Sequence, residues 1–258
     1  MHKIVTVRSV AAPNLLRWWH TADMPDDIAS SETEFSFGDD AVAAYIARPN
    51  GSGPFPGLMV FHEAFGLNDD IRRIADRFAS NGYVVVAPDL IGGGFSCLVK
   101  VFRDLSRGDG PAFDRARASI DYLASQSDVD DKRLGLVGFC MGGDFALALG
   151  IDDRIRVTAP NYGKAPDDAH LENLCPVVAS YGKKDKIFRG NAARLESVLS
   201  AAGIANDIKL YPEAGHSFIN TYAPWYTTIM GPLMAVGYHQ DEAEDAWSRM
   251  LAFFEKHL

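Results

Sequence analysis

The strongest constraint on the fold is a regular alternation of short apolar runs with amphipathic stretches. The apolar runs are rich in Val, Ile and Leu on both faces and end in Gly, Pro or polar residues, which is typical of strands buried in a parallel sheet. Six of them are GLMVFHE (57–63), YVVVAPDL (83–90), RLGLVGFC (133–140), IRVTAPNYG (155–163), PVVASYGKKD (176–185) and IKLYPEAGH (208–216). These runs predict the buried strands of an α/β protein.

The stretches between the strands carry apolar residues at three- or four-residue spacing, as amphipathic helices do. We predict helices over NDDIRRIADRFASNG (68–82), GPAFDRARASIDYLASQ (110–126), MGGDFALALG (141–150), NAARLESVLSAAG (191–203) and DAWSRMLAFFEKHL (245–258). An antiparallel hairpin is predicted over ETEFSFGDDAVAAYIARP (32–49), with its turn near Gly38. The resulting fold is a doubly wound, mostly parallel sheet with helices on both faces and a ligand site at the carboxyl ends of the strands.

Composition favours one globular domain. The chain has 258 residues, of which 47% are hydrophobic, and a formal net charge of −9. This acidic excess argues against nucleic acid and anionic lipid as partners, and no apolar stretch has the length of a signal peptide or membrane span. We therefore expect an N-terminal extension (1–30), a single α/β domain (31–258), a cytoplasmic location and a monomer or small homo-oligomer.

One of the three cysteines, Cys97, Cys140 and Cys175, stands in a distinctive motif. Cys140 lies in GFCMG (138–142), between a predicted buried strand and a predicted helix, which is the G-x-nucleophile-x-G form of a hydrolase elbow with Cys in place of Ser. No C-x-x-C pair or His cluster suggests a metal site, and we expect no cofactor. At least one cysteine must be unpaired because the number is odd.

In such an elbow, the glycines and the first turn of the helix each have a specific role. Neighbouring side chains would collide with the adjacent strand and helix at such a turn, so Gly is required on both sides of the nucleophile. The amide of Met141 would lie at a helix N-terminus, where it could stabilise an oxyanion and lower the pKa of the thiol. The alternative is a small buried cysteine in a tight glycine turn.

A nucleophilic thiol needs a base and a carboxylate that orients the base, and in this fold they follow in the order nucleophile, acid, histidine. Asp185 in YGKKDK comes just after a predicted strand, and His216 in YPEAGHSF follows the next one. They are the candidate acid and base. His62 precedes Glu63 at another strand end, and it is either a core histidine or a pocket residue.

Five segments together resemble the dienelactone hydrolase family of α/β-hydrolases, which open lactones and esters with a Cys-His-Asp triad. They are FHEAFGLND (61–69), APDL (87–90), GFCMGG (138–143), YGKKD (181–185) and EAGHSF (213–218), within a likeness that runs from about residue 34 to the C-terminus. The resemblance implies Cys140 as nucleophile, His216 as base and Asp185 as its orienting acid. It also implies that Glu63 contacts the resting thiol and that the amide of Ala64 joins that of Met141 in the oxyanion hole.

The chain departs from this family where two arginines are expected to bind a substrate carboxylate. After APDL the nearest cation is Lys100, and after His216 the chain continues with Ser217, Phe218, Ile219 and Asn220. Because a carboxylate clamp needs bidentate donors, we expect neutral or apolar esters or lactones as substrates. Candidate aromatic walls of the pocket, each equally well explained as core, are Phe65, Phe139, Tyr162 and Trp225.

Other functions fit the same residues. A thioesterase or an amidase would use the same triad, because all of these reactions share a tetrahedral intermediate. A non-catalytic binding protein and a redox-sensing thiol are the alternatives outside enzymes, although a complete triad would be superfluous in either.

Overall fold

The computed structural model of the chain describes residues 28–38, 40–93, 95–221 and 235–258, and the structural statements below concern these residues. Its strands are β1 (Ile28–Phe37), β2 (Asp40–Pro49), β3 (Phe55–Phe61), β4 (Val84–Pro88), β5 (Val129–Phe139), β6 (Ile155–Asn161), β7 (Val177–Gly182) and β8 (Asn206–Tyr211). Its helices are α1 (Asp69–Ala79), α2 (Phe95–Arg107), α3 (Pro111–Ala124), α4 (Met141–Leu149), α5 (Asp168–Leu171), α6 (Asn191–Ala201) and α7 (Gln240–His257).

The described strands form one sheet in the order β1-β2-β4-β3-β5-β6-β7-β8. β1 pairs with β2, and β2 with β4, in antiparallel orientation, whereas the pairs from β4 through β8 are parallel. The predicted α/β-hydrolase fold, with its N-terminal hairpin and mostly parallel sheet, is confirmed. The parallel strands all present their carboxyl ends at the same edge, which we call the carboxyl edge.

Apolar side chains cover both faces of the parallel strands. Along β3, Leu58 and Val60 pack in one core cluster, and Met59 and Phe61 pack in the other. α1 and α7 cover the first face with residues such as Phe78, Trp247 and Phe254, and α3 and α4 cover the second with Phe113 and Phe145. This burial on both faces explains why the strands read as continuous apolar runs.

The sequence interpretation missed one long helix and misplaced the start of another. α2 occupies the stretch around Lys100, for which no helix was predicted; Val101 is buried in it, whereas Val99 and Phe102 are exposed. α7 begins at Gln240 rather than at residue 245.

The domain division expected at residue 30 stays a prediction; β1 begins slightly before it, because Ile28, Ala29 and Ser30 pair with β2. The remainder of the expected extension, residues 1–27, lies outside the described residues. None of the described helices is long and apolar enough to cross a membrane.

The aromatic contacts under α7 predict a large loss of stability when they are removed. The ring of Phe78 lies 4.5 Å from that of Trp247 and 6.0 Å from that of Phe254, and Phe78 has no exposed surface. We expect Phe78→Ala to lower the free energy of unfolding by about 3–5 kcal/mol, as measured by urea denaturation. Phe102→Ala is the control, since Phe102 is 46% exposed, and it should change that free energy by less than about 0.5 kcal/mol. Equal losses in both variants would contradict this packing.

Candidate active site

The carboxyl edge gathers the predicted catalytic residues from five separate segments of the chain. Glu63 follows β3, Cys140 follows β5, Asp185 follows β7 and His216 follows β8. Tyr162, directly after β6, completes the group. Parallel pairing of β3, β5, β6, β7 and β8 is what brings these loops together.

Cys140 occupies a strained turn between β5 and α4. Its backbone has φ 52° and ψ −116°, a conformation that L-residues rarely adopt. Two hydrogen bonds hold it there: the Cys140 amide donates to the Asn161 carbonyl (3.0 Å), and the Gly143 amide donates to the Cys140 carbonyl (2.8 Å). Such a conformation, kept in place by the neighbouring strand and helix, is the geometry expected of a nucleophile elbow.

Both flanking glycines are required by close backbone contacts, as predicted. A Cβ on Gly138 would lie 1.9 Å from the Gly142 carbonyl oxygen, and a Cβ on Gly142 would lie 2.1 Å from the Phe61 carbonyl oxygen. No side chain fits at either distance. The motif therefore holds the start of α4 directly against β3 and β5, with the half-buried Cys140 between them.

The surroundings of the thiol oppose ionisation. Burial raises the pKa of the Cys140 thiol, and the carboxylates of Asp144, Glu63 and Asp185 raise it further. The Met141 amide acts in the opposite direction, as expected for a helix N-terminus, but its effect is smaller. Our expectation of a lowered thiol pKa is thus wrong for this structure, and an exposed, acidic thiol of the kind that senses oxidants does not fit.

Asp185 and His216 form the buried acid–base pair that the sequence predicts. Nδ1 of His216 lies 2.7 Å from Oδ2 of Asp185, and both side chains are almost completely buried. The other carboxylate oxygen of Asp185 accepts hydrogen bonds from the amides of Ile187 (2.9 Å) and Phe188 (3.2 Å). With the carboxylate fixed in this way, Nδ1 carries the hydrogen and Nε2 is left as the basic atom.

Glycine also allows the acid loop and the histidine loop to meet. A Cβ on Gly182 would lie 2.2 Å from the Gly215 carbonyl oxygen, so the two backbones are in direct contact. Next to this contact, the Lys184 amide donates to the Ala214 carbonyl at 2.9 Å. The Asp185–His216 distance therefore depends on the close approach of these two loops.

Aromatic rings hold the imidazole of His216 from two sides. Tyr162 meets it edge-on with ring centroids 5.3 Å apart, and Phe188 lies at 5.2 Å in a tilted arrangement. Nε2 of His216 is buried and hydrogen-bonds no described residue, so the expected bond to the thiol is not formed in this structure. Nε2 remains available to a group that enters the site.

Glu63 is buried beside the thiol without touching it. Its Oε1 accepts a hydrogen bond from the Asn68 side chain (3.1 Å), whereas its Oε2 is buried and hydrogen-bonds no described residue. The contact with the resting thiol that the resemblance implies is therefore not present. Burial raises the pKa of Glu63 to about 7, and the nearby Asp70 carboxylate contributes to that increase.

A chain of buried polar side chains connects the histidine loop to α1, and sequence reasoning did not find it. The hydroxyl of Tyr162 donates to Oδ1 of Asn220, and the Asn220 amide donates to the carboxylate of Asp70 (2.7 Å), which also accepts from Thr221 and pairs with Arg73 (2.6 Å). The only signal in the sequence was an Asn shortly after the candidate histidine. Tyr162 itself has a positive φ of 43° and no exposed surface.

The remaining aromatic candidates have different positions. Phe65 is 44% exposed beside the β3–α1 loop, which leaves it accessible from solvent near the site. Phe139 has no exposed surface and belongs to the core cluster under α1 and α7, so of its two interpretations, pocket wall or core residue, the core residue fits. Trp225 lies outside the described residues.

His62 is a structural histidine. Its Nδ1 donates to the Glu63 carbonyl at 2.6 Å, and its Nε2 accepts from the Leu90 amide at 3.0 Å, which fixes a neutral imidazole. Of the two interpretations left open by the sequence, the core histidine is the one that fits. It ties the β3–α1 loop, and so Glu63, to the chain that follows β4.

All three cysteines are unpaired, and the described residues contain no group of His, Cys, Asp and Glu side chains that could hold a metal ion.

The whole chain was compared with known protein families, curated proteins and solved structures, and each comparison found similar proteins. The profile of the dienelactone hydrolase family matches residues 42–258. A Yersinia pestis protein named "Putative carboxymethylenebutenolidase" is 30% identical, with 89% of each chain covered. The carboxymethylenebutenolidase of Rhodococcus opacus is 29% identical over 83% of this chain and 86% of its own. A structure titled "Putative Dienelactone Hydrolase", from Klebsiella pneumoniae, is 27% identical with a TM-score of 0.73 and covers 90% of this chain and 100% of its own.

The contact between Gly182 and Gly215 can be tested by adding one methyl group. We expect Gly182→Ala to lower the free energy of unfolding by about 1–3 kcal/mol, because its Cβ would be forced against a backbone oxygen. Gly237→Ala is the matched control, since no described residue lies within 4 Å of a Cβ at that position. Urea denaturation of the two variants measures the difference, and an unaffected Gly182→Ala would show that the loops are not in contact.

Proposed function

We propose that this chain, which belongs to the dienelactone hydrolase family, cleaves carboxylic ester or lactone bonds through a thioester intermediate on Cys140. The observation that carries the proposal is the buried Asp185–His216 pair, with its basic Nε2 unengaged, beside a cysteine on a strained strand-to-helix turn. These are the three parts that nucleophilic catalysis by a thiol requires.

In the first step, His216 accepts the proton of the Cys140 thiol while the sulfur attacks the carbonyl carbon of the substrate. Because Nε2 does not bond the sulfur in this structure, the thiol has to rotate toward it before the proton can move. Asp185 keeps the hydrogen on Nδ1 and stabilises the imidazolium that forms. The raised pKa of the thiol makes this base essential, because little thiolate is present without it.

The attack places a negative charge on the carbonyl oxygen, and we assign its stabilisation to the backbone amides of Met141 and Ala64. Met141 is the first residue of α4, where the helix dipole favours negative charge, and Ala64 lies in the loop after β3 that is packed against the same turn. Each oxyanion donor contributes about 3 kcal/mol in comparable enzymes. Two such donors would supply a large part of the rate enhancement.

Collapse of the tetrahedral intermediate breaks the bond between the carbonyl carbon and the leaving oxygen, which takes the proton from His216. The acyl group then remains on the sulfur of Cys140 as a thioester. Water attacks this thioester as His216 accepts its proton, and the sulfur leaves and recovers a proton. The products are a carboxylic acid and an alcohol, or one hydroxy acid when the substrate is a lactone.

The charges around the thiol favour a neutral substrate. Asn220 lies a few residues past the catalytic histidine, where the resemblance leads to the expectation of an arginine, and it is fully buried with its amide bound to Asp70. Lys100 is exposed on α2, and the charged groups with the largest effect on the thiol are carboxylates. A substrate carboxylate would meet repulsion here and gain no bidentate partner.

The nucleophile is tested by replacing the thiol. We expect Cys140→Ala to fold with an unchanged circular dichroism spectrum and to lose p-nitrophenyl ester hydrolysis by on the order of 10⁴-fold or more, because the covalent step becomes impossible. Cys175→Ala should keep wild-type activity. Substantial turnover by Cys140→Ala would refute the assignment, and an acyl adduct mapped to Cys140 by mass spectrometry would support it.

Substrate charge is tested with a matched pair of lactones. We expect kcat/KM for a neutral five-membered lactone to exceed that for the same ring bearing a carboxylate by about tenfold or more, since a charge difference worth about 1.4 kcal/mol is a factor of ten. The ratio should shrink at high ionic strength. A clear preference for the carboxylated lactone would contradict the proposed substrate class.

A further inference from the structure

One carboxyl group at the carboxyl edge takes no part in the mechanism above. Asp144 is the fourth residue of α4, and its amide donates to the carbonyl of Cys140 at 3.3 Å. Residues separated by four positions share a helix face, so Asp144 lies one turn beyond the nucleophile on the same side of α4.

The carboxyl group of Asp144 is fixed in place by the loop that follows β6. Its Oδ1 accepts a hydrogen bond from the amide of Lys164. The loop is held tightly there, because a Cβ on Gly163 would lie 2.6 Å from the carbonyl carbon of Gly143 and 2.9 Å from the amide of Asp144. If the Asp144 side chain turned toward solvent, it would therefore lose its hydrogen bond from the Lys164 amide.

The groups around Asp144 do little to stabilise the negative charge of its carboxylate. The ammonium of Lys164 favours the carboxylate, but it is on an exposed side chain. From β7, Tyr181 contributes a buried hydroxyl that hydrogen-bonds no described residue. The Asp144 carboxylate in turn acts on the Cys140 thiol, and only burial has a larger effect on that thiol. Burial raises the pKa of Asp144 itself to about 7.

We propose that Asp144 is a specificity-determining residue, whose carboxylate disfavours negative charge both on the sulfur of Cys140 and on an incoming acyl group. It thereby slows formation of the thiolate and selects against anionic substrates. The inference rests on the proposed role of Cys140 as nucleophile. We therefore expect the acyl groups that react at this site to be neutral or positively charged.

The experiment measures alkylation of Cys140 by iodoacetamide, which is neutral, and by iodoacetate, which is an anion of similar size. In both reactions the thiolate displaces iodide, so that an S–C bond forms as the C–I bond breaks, and peptide mass spectrometry separates Cys140 from Cys97 and Cys175. The iodoacetamide rate reports thiolate formation, and the ratio of the two rates reports the local charge. Neither requires turnover, so the result stands apart from the proposed hydrolysis.

We expect Asp144→Asn to speed iodoacetamide alkylation at pH 7.5 by about threefold. A one-unit decrease in thiol pKa gives about tenfold more thiolate, and the weaker nucleophilicity of the more acidic thiol offsets about a third to half of that on a logarithmic scale. The iodoacetate rate should rise further, by about tenfold, because repulsion is also removed. In the wild type the ratio of iodoacetate to iodoacetamide rates should increase as the pH falls from 8 to 6, since Asp144 becomes protonated.

Control variants separate charge from structure. Asp144→Glu keeps the charge and should keep the wild-type ratio, whereas Asp144→Ala should behave like Asp144→Asn. Asp114 is also the fourth residue of its helix, α3, and is exposed, so Asp114→Asn should change nothing. Because Glu63 titrates in the same range, the pH dependence is read as the difference between wild type and Asp144→Asn.

The proposal is overturned if Asp144→Asn shows wild-type rates and ratio, or if Asp144→Glu matches the neutral variants. Failure of both Asp144→Asn and Asp144→Ala to fold would assign Asp144 a structural role and overturn it as well. Hydrolysis provides a further measurement: in Asp144→Asn, kcat/KM for a carboxylated lactone should rise relative to that for its neutral counterpart.

Discussion

Backbone segments at the carboxyl edge of the sheet approach each other to distances that only glycine permits, and the site is assembled by these contacts. Gly138 and Gly142 press the start of α4 against β3 and β5 and so hold Cys140 in its strained conformation. Gly182 brings the acid loop against the histidine loop, where Nδ1 of His216 meets Asp185 at 2.7 Å. The positions of the three reacting side chains follow from these close contacts, because a methyl group at any of these glycines would separate the segments.

A second feature of the site is that its acidic groups are buried, which raises the free energy of their charged forms. Burial raises the pKa values of Glu63 and Asp144 to about 7, and burial together with these carboxylates favours the protonated form of the Cys140 thiol. A hydrolase that must generate a thiolate in this setting depends on its imidazole. In the mechanism that we propose, this task falls to the buried Nε2 of His216, which hydrogen-bonds no described residue, and the charge around the thiol then bears both on its reactivity and on the substrate.

Much of this could be predicted from the chain because the relevant signals are local. Buried parallel strands appear as continuous apolar runs, a strand-to-helix turn with a nucleophile requires glycines at fixed spacing, and the acid and base of an α/β-hydrolase follow in order after later strands. α2 was overlooked although its sequence, FSCLVKVFRDLSR, carries apolar residues at helical spacing. The thiol pKa was predicted in the wrong direction, since burial outweighs the helix dipole.

The sequence by itself determined the order of strands and helices and the glycine turn at Cys140, and it supplied the acid and the base that we propose, because each depends on residue type at a fixed spacing. Only the tertiary structure decided which polar groups from distant parts of the chain contact each other. The bond from Asn220 to Asp70 spans 150 positions, and the contact of Lys164 with Asp144 joins a loop to a helix start. Burial of the thiol arises from such long-range neighbours, whereas the carboxylate with the largest effect on it, that of Asp144, lies only four residues further along the chain.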